Sequence, residues 1–569
     1  MAPQQHAAKL KVEIDGQPLS QELDPTVVSA FVDNSSSLPD MFQVAFRDPK
    51  RTLLQKTGLK VGSKVKLKIF TEANPGGELL ITGEVTALEA EYDADGMMTV
   101  VRGYDYAHRL FRGRITQSYT NVTYSDIAQT IGQRSGLDIG QIDNSPTVFT
   151  HVSQSNVNDW QFIKGLANEI GFDVGCFDGK FEFRQPVQSS AAPTTGTLAT
   201  DQPFQLILGK TLLRFRCVVT SAEQVKQVQV RGWDSAQKQQ IVGVAPAKTV
   251  SASVGTAPED LAAVFNSPDY VGVDTPYATQ AEVDAAAKSL AEQIAGAHAE
   301  LEGVARGDAT LRAGKAVSLG LVKEPFDGKY TLTATRHCYD PKDGYTVWFT
   351  VSGRQERSLF GLTSGTGTAS GTAGGPPIMG VVSALVTDVN DPENRCRVKL
   401  KFPWLSDNFV TDWARTVQLS AGAGRGGVFM SEVNDEVLVA FEQGDVRRPY
   451  VIGGLHNGSD APELGAGLVD GGSGAILQRS FVSRKGHSMS FLDDGSTTGV
   501  TITTGDGNLE LTLDDTQTKV IINSSGDVEI TGANVTISAS AQLSLQGQAG
   551  VTIDGGPMVQ VTGDVIQLN

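Results

Sequence analysis

The sequence is poor in the features that usually announce catalysis, cofactor binding or membrane insertion. Its four cysteines, Cys176, Cys217, Cys338 and Cys396, stand far apart without a CxxC pair. That argues against a disulfide scaffold or a thiolate zinc site and leaves isolated, reduced thiols as the expectation. No stretch approaches the roughly 18 uninterrupted apolar residues of a membrane span. The opening residues MAPQQHAAKLKVEIDGQPL lack both the basic and the apolar region of an export signal, so synthesis and assembly in the cytoplasm are expected. Positive charge is also short: 47 Lys and Arg face 64 Asp and Glu, for a net charge of −17. Such a surface repels phosphates and anionic lipid, which argues against nucleic acid or a resting membrane as partner.

What the chain does contain is glycine and alternation. With 569 residues it has room for several domains, and 62 Gly with 23 Pro suit many short strands joined by turns. Residues 1–119 alternate apolar and polar positions in KLKVEI, VSAFVD, FQVAFRD and SKVKLKIF, which predicts an antiparallel sheet or barrel. Residues 120–186 form a small mixed unit. There Trp160, Ile163, Ala167 and Ile170 share a helix face, with Asn156 or Ser155 as cap and Gly171 as stop. Residues 187–360 return to strands but include a helix predicted over 279–304. It starts at the capping-box spacing Thr279/Glu282 and carries the stripe Val283, Leu290, Ile294 and Leu301.

The segment 361–377 is almost all Gly, Ser, Thr, Ala and Pro and reads as a flexible linker. Residues 378–458 then offer five strand candidates separated by Gly and Asp turns, which suggests a closed barrel of the OB type. A connector covers 459–488.

From 489 to 569 only short alternating pairs occur. Val535/Ile537, Leu543/Leu545, Val551/Ile553 and Val559/Val561 recur with a period of eight, between Gly and polar residues. Upstream, Leu511/Leu513, Val520/Ile522 and Val528/Ile530 repeat more loosely. Eight extended residues span about 26 Å at roughly 3.3 Å each, too few to close a three-sided coil from one chain. Two inward apolar side chains per octad are also too thin a core for one chain. Three chains, each supplying one wall, bring every pair to a common axis. The period therefore predicts an intertwined homotrimeric β-helix, a β-prism, whose core is formed by these eight residues.

The order of parts resembles VgrG of type VI secretion systems and the hub and spike of contractile phage tails and extracellular injection systems. The resemblance rests first on residues 412–458. In that stretch Trp413 and Arg415 open the OB signature, and Gly424 to Gly427 form its glycine-rich loop. Val437, Val439 and Phe441 lie on a barrel strand, Gly444 and Asp445 make a turn, and Pro449 to Gly453 close the barrel. Residues 483–495, SRKGHSMSFLDDG, resemble the family's entry into the needle, and Asn158-Asp159-Trp160 resembles part of the domain inserted in its hub.

The resemblance implies a mainly β protein with minor α: a hub of tube-like β-barrels with an inserted α/β domain, an OB-fold barrel and a trimeric needle. It implies a non-enzymatic spike, without cofactors, that nucleates an inner tube and punctures the target envelope on sheath contraction. The implied partners are two further copies, the inner tube protein, baseplate proteins, effector cargo and a PAAR-type tip protein at Gln567, Leu568 and Asn569. The target membrane is met only on firing, when the particle is injected or released. The machine served stays open between phage tail, type VI system and free particle.

Rival readings are a cell-wall-degrading tail enzyme and a receptor-binding tail fibre. The first needs a catalytic domain that the short connector leaves no room for, and the second an aromatic-rich tip after the repeat. Gly422, Gly424 and Gly427 match GxGxxG but lie between strands rather than in a βαβ unit. Asp388, Asn390 and Asp391 lack the Gly and terminal Glu of a calcium loop. His337 and Cys338, consecutive on a strand, face opposite ways. His487 near Asp493 and Asp494 reads as structural.

Overall fold

Alternation along the first and third segments produces strands with one face in a common core. The computed structural model describes residues 8–567, apart from positions 73, 95, 178, 195–202, 341–343, 355–376, 463–466 and 496. Among these, two compact units separate at Asn457/Gly458.

In the first unit, strands from 1–119 and from 187–360 share one eleven-stranded sheet. The join is the antiparallel pairing of Ala334–Asp340 with Val27–Ser35, in register at Val32↔His337. Its core mixes both segments: Phe42, Leu67 and Ile69 pack with Leu212, Leu319, Tyr330 and Val347. The boundary between the two hub segments thus runs through the middle of a sheet.

The inserted unit has its own core around Trp160, Phe162, Ile163, Leu166, Phe181 and Phe183. It begins with the strand Ile115–Val122, which pairs with Phe149–Val157. Five helices occur among the described residues: α1 Leu53–Thr57, α2 Tyr124–Arg134, α3 Asp159–Ile170, α4 Pro258–Val264 and α5 Gln280–Gly296. The cap of α3 is Asn158, whose side chain accepts from Gln161 N, and not Asn156 or Ser155. Asn156 instead adopts φ 53° where the preceding strand breaks register. Gly171 ends α3 in the left-handed conformation, as expected.

Helix α5 opens with the capping box of Thr279 and Glu282. It stops at Gly296, eight residues short of the expectation, because Ala299–Arg306 is a strand between Leu212–Val219 and Gly344–Val351. Leu301 therefore belongs to the sheet core, while Val283, Ala287 and Ala291 pack α5 on the hairpin that carries Val228, Val230 and Ile241.

The linker expected at 361–377 lies outside the described residues except for Pro377. After it comes a closed five-stranded barrel of Val381–Asp388, Arg397–Lys401, Ala414–Thr416, Pro449–Gly454 and Glu436–Phe441. These are the five strands read from the sequence. Val386, Val398, Leu400, Phe402, Phe409, Val437 and Val439 fill it.

The second unit contains a five-stranded antiparallel meander from Gln478 to Ser524. Leu511/Leu513 and Val520/Ile522, expected in the shared prism, lie on hairpin strands of this meander. Their looser spacing leaves residues for a turn at Asp515–Thr518, and Thr518 takes φ 53° there. From Gly526 to Gln567 no strand is formed within the chain.

Candidate functional site

Alternation gives the meander two unlike faces. Phe481, Met489, Ile502, Leu511 and Ile522 align across the strands in one row. Beside it runs Phe491, Val500, Leu513 and Val520, two residues along each strand and therefore on the same face. The opposite face carries Ser480, Ser490, Thr501 and Thr512, with Ser480 Oγ and Ser490 Oγ 2.7 Å apart. The apolar face is uncovered in one chain: Val520 is 64% and Ile522 62% exposed.

The octads continue this pattern. Val535, Ile537, Leu543, Leu545, Val551, Ile553, Val559 and Val561 are each 52–69% exposed. Their corners repeat in three dimensions. A Cβ on Gly547 would lie 2.2 Å from Gly550 O, and one on Gly555, eight residues on, 2.3 Å from Met558 O. Gln567 is exposed, while Leu568 and Asn569 lie outside the described residues.

In the barrel, Val437, Val439 and Phe441 point inward and are buried. The Trp413 ring lies under Lys399 Nζ at 4.9 Å from its centroid, and the Arg415 guanidinium lies over Tyr450. Gly427 closes the short hairpin of Ala421–Gly422 with Arg425–Gly426, so the GxGxxG glycines sit between strands. Pro449 and Gly453 pair with Phe441 and Leu438 in the closing strand.

Gly444 takes φ 81°, and a Cβ there would meet Pro377 Cβ at 2.8 Å. It leads into the buried Asp445, whose carboxylate holds Arg447 through contacts of 3.0–3.1 Å. Arg447 also reaches Glu169 Oε1 of α3 at 3.4 Å. Sequence reading passed over Arg447 and Glu169, since nothing local links residues 278 positions apart.

Several other polar groups are held by partners within the fold. Asp391 accepts from the backbone N–H groups of Glu393, Arg395 and Arg397 and from the Arg397 guanidinium at 2.6 Å. The guanidinium bond and these amides hold its carboxyl well below the usual carboxylate range. His487 Nδ1 accepts from Gly505 N at 3.1 Å, tying two loops of the meander. A cavity of about 710 Å³ in the hub is walled by Tyr104, Phe111 and Trp348, and its Arg336 is bidentate to Asp33. Nearby His108 contacts Glu84 at 3.0 Å, and burial lowers its pKa. His337 is buried with Nδ1 2.7 Å from Tyr345 Oη. The four cysteines are free thiols. Among the described residues no helix is long and apolar enough to cross a membrane, and no group of three or more His, Cys, Asp or Glu could hold a metal.

Residues 382–456 match the family model of the type VI secretion system/phage-baseplate injector OB domain. A second model, the Alg8 N-terminal domain, matches residues 61–340. The type VI secretion system spike proteins VgrG2a and VgrG2b of Pseudomonas aeruginosa are each 34% identical over 92 residues. That match takes in 16% of this chain and only 11% and 9% of theirs. A chain of the lidded Francisella PdpA–VgrG complex shares the fold, with TM-score 0.55 at 8% identity over 91% of this chain and 80% of that one. The OB barrel thus matches the injector OB family, and the chain resembles VgrG spike proteins in sequence over a short stretch and a VgrG-complex chain in its β-rich fold.

Proposed function

We propose that this protein is a non-enzymatic homotrimeric spike of a contractile injection machine, nucleating the inner tube with its hub and puncturing the target envelope when the sheath contracts. One observation carries this reading: the apolar rows that end in Val520 and Ile522 and the octads that follow stand open to solvent in a single chain, the octad residues at 52–69% exposure. An exposed apolar patch larger than a few hundred Å² marks an association surface. Three identical faces turned to one axis cover one another, and extended backbone from Gly526 onward then finds partners in the neighbouring chains. Such a prism is stiff because its lateral backbone groups are paired, which suits a needle that transmits force.

Inner tube protein, baseplate proteins, effector cargo and a PAAR-type tip protein at Gln567, Leu568 and Asn569 are the partners of this reading. It involves no cofactor and no nucleic acid.

Mass in solution tests it. Full-length protein should run at three times 60.3 kDa, and a truncation after Asn457 should lose or weaken that state. A stable full-length monomer overturns the proposal.

A further inference from the structure

We infer that the small inserted unit is the seat on which the OB barrel of the same chain is locked to the hub, through a desolvated charge cluster centred on Arg447. Two seams carry this, both inside the first compact unit. The first lies at the end of α3. There Glu169 accepts from Tyr124 Oη at 2.5 Å with one oxygen and faces Arg447 Nη1 with the other. Asp445 grips the same guanidinium from the barrel side. Arg447, Glu169 and Asp445 side chains are only 17%, 13% and 2% exposed, so the cluster is largely buried. Burial among these charges raises the Tyr124 phenol well above its ordinary pKa and keeps it a donor to Glu169. At the rim, Arg448 stands 3.7 Å from Glu282 of α5.

The second seam is polar and faces the strand pair that opens the insert. Val410 O of the barrel accepts from Ser118 Oγ and from His151 Nε2, each at 3.0 Å. Thr150 Oγ1 donates to Asp412 Oδ2 at 3.2 Å, and the His151 ring stands edge-on to Phe409 in the barrel core.

The signature turn now has a physical role. Gln443 at φ 51° and Gly444 at φ 81° reverse the chain so that Asp445 and Arg447 leave the barrel toward α3. Ile378 N donates to Gly444 O at 2.9 Å, so the strand entering the barrel is pinned on that same turn. Removing Arg447 would leave two carboxylates facing each other in a largely buried seam, a larger loss than that of an exposed ion pair. The seat couples barrel to hub directly, without relying on the connecting residues 355–376.

The test severs that connection in the full-length protein. A site-specific protease sequence is placed within residues 361–375, the chain is cut, and the hub and barrel–needle pieces are followed by native mass spectrometry and size exclusion. The seat predicts that the cut pieces stay together. Arg447→Met should weaken their association by at least about 100-fold, and Glu169→Gln, made on the hub side, should weaken it by a smaller factor. Arg447→Lys should restore part of the loss, and Arg448→Ala should leave it within about threefold. Because Glu169 and Arg447 lie on opposite pieces, misfolding of one variant does not remove the test. Cut wild-type pieces that part freely, or variants that part no faster than wild type, overturn the proposal. The uncut protein's mass reports the trimer separately, so failure of one reading is distinguishable from failure of the other.

Discussion

Leu545→Ala isolates the shared needle. On one chain Leu545 is 64% exposed, and truncating an exposed side chain shifts stability by no more than about 0.5 kcal/mol. In the proposed trimeric prism the same leucine would pack at the axis. Truncation of a packed leucine costs about 2–5 kcal/mol, and every trimer carries the change three times. Taking only the lower part of that range, the assembled needle loses about 6–9 kcal/mol. Because the midpoint concentration of a trimer goes as the square root of its dissociation constant, that raises the concentration at which trimers dissociate by ~10²–10³-fold. The assay is native mass spectrometry over a dilution series, read beside Ser544→Ala, which changes the intervening polar position. If Leu545→Ala and Ser544→Ala dissociate within threefold of each other, Leu545 does not sit in a common core and the octad argument fails.

Further predictions follow the same logic. Gly547→Val and Gly555→Val place a Cβ within 2.2–2.3 Å of a backbone oxygen and should abolish the trimeric mass while leaving barrel and hub melting unchanged. Asp391 has its folded pKa depressed, foremost by its bond to Arg397, so its stabilisation is complete above the unfolded carboxylate value of about 4 and fades as pH falls below it. Asp391→Asn should therefore destabilise the barrel at pH 7 and flatten its acid titration, followed by fluorescence of Trp404 and Trp413. Thr279→Ala removes the side-chain cap of α5 and should cost about 1 kcal/mol, measured as a lower melting temperature of the first unit.

The barrel was legible because each of its strands alternates and each turn carries Gly or Asp, so periodicity and turn chemistry agreed. The capping box at Thr279 was legible for the same local reason. The end of α5 was not. AHAELEGV is rich in good helix formers, yet residues 299–306 are drawn into the sheet by partners on both sides, and pairing overrides propensity. The exposed apolar rows were readable as a period, but the hairpins within them depended on pair spacings one to three residues longer than an octad. Arg447 and Glu169 were invisible, since a charge in a polar turn looks solvated until the fold brings another element over it.

The pairing of Val27–Ser35 with Ala334–Asp340 has a consequence for biosynthesis. Val32 and His337 emerge from the ribosome about 300 residues apart, which at about 5–20 residues per second is an interval of roughly 15–60 s. Throughout it the N-terminal strands hold an open edge and half a core on every nascent chain. The inserted unit, with a hydrophobic core built from consecutive residues, is free to fold within the same interval. Ordered translation therefore completes the insert first, closes the hub next and releases the exposed apolar C-terminal rows last, when the hub is already shut.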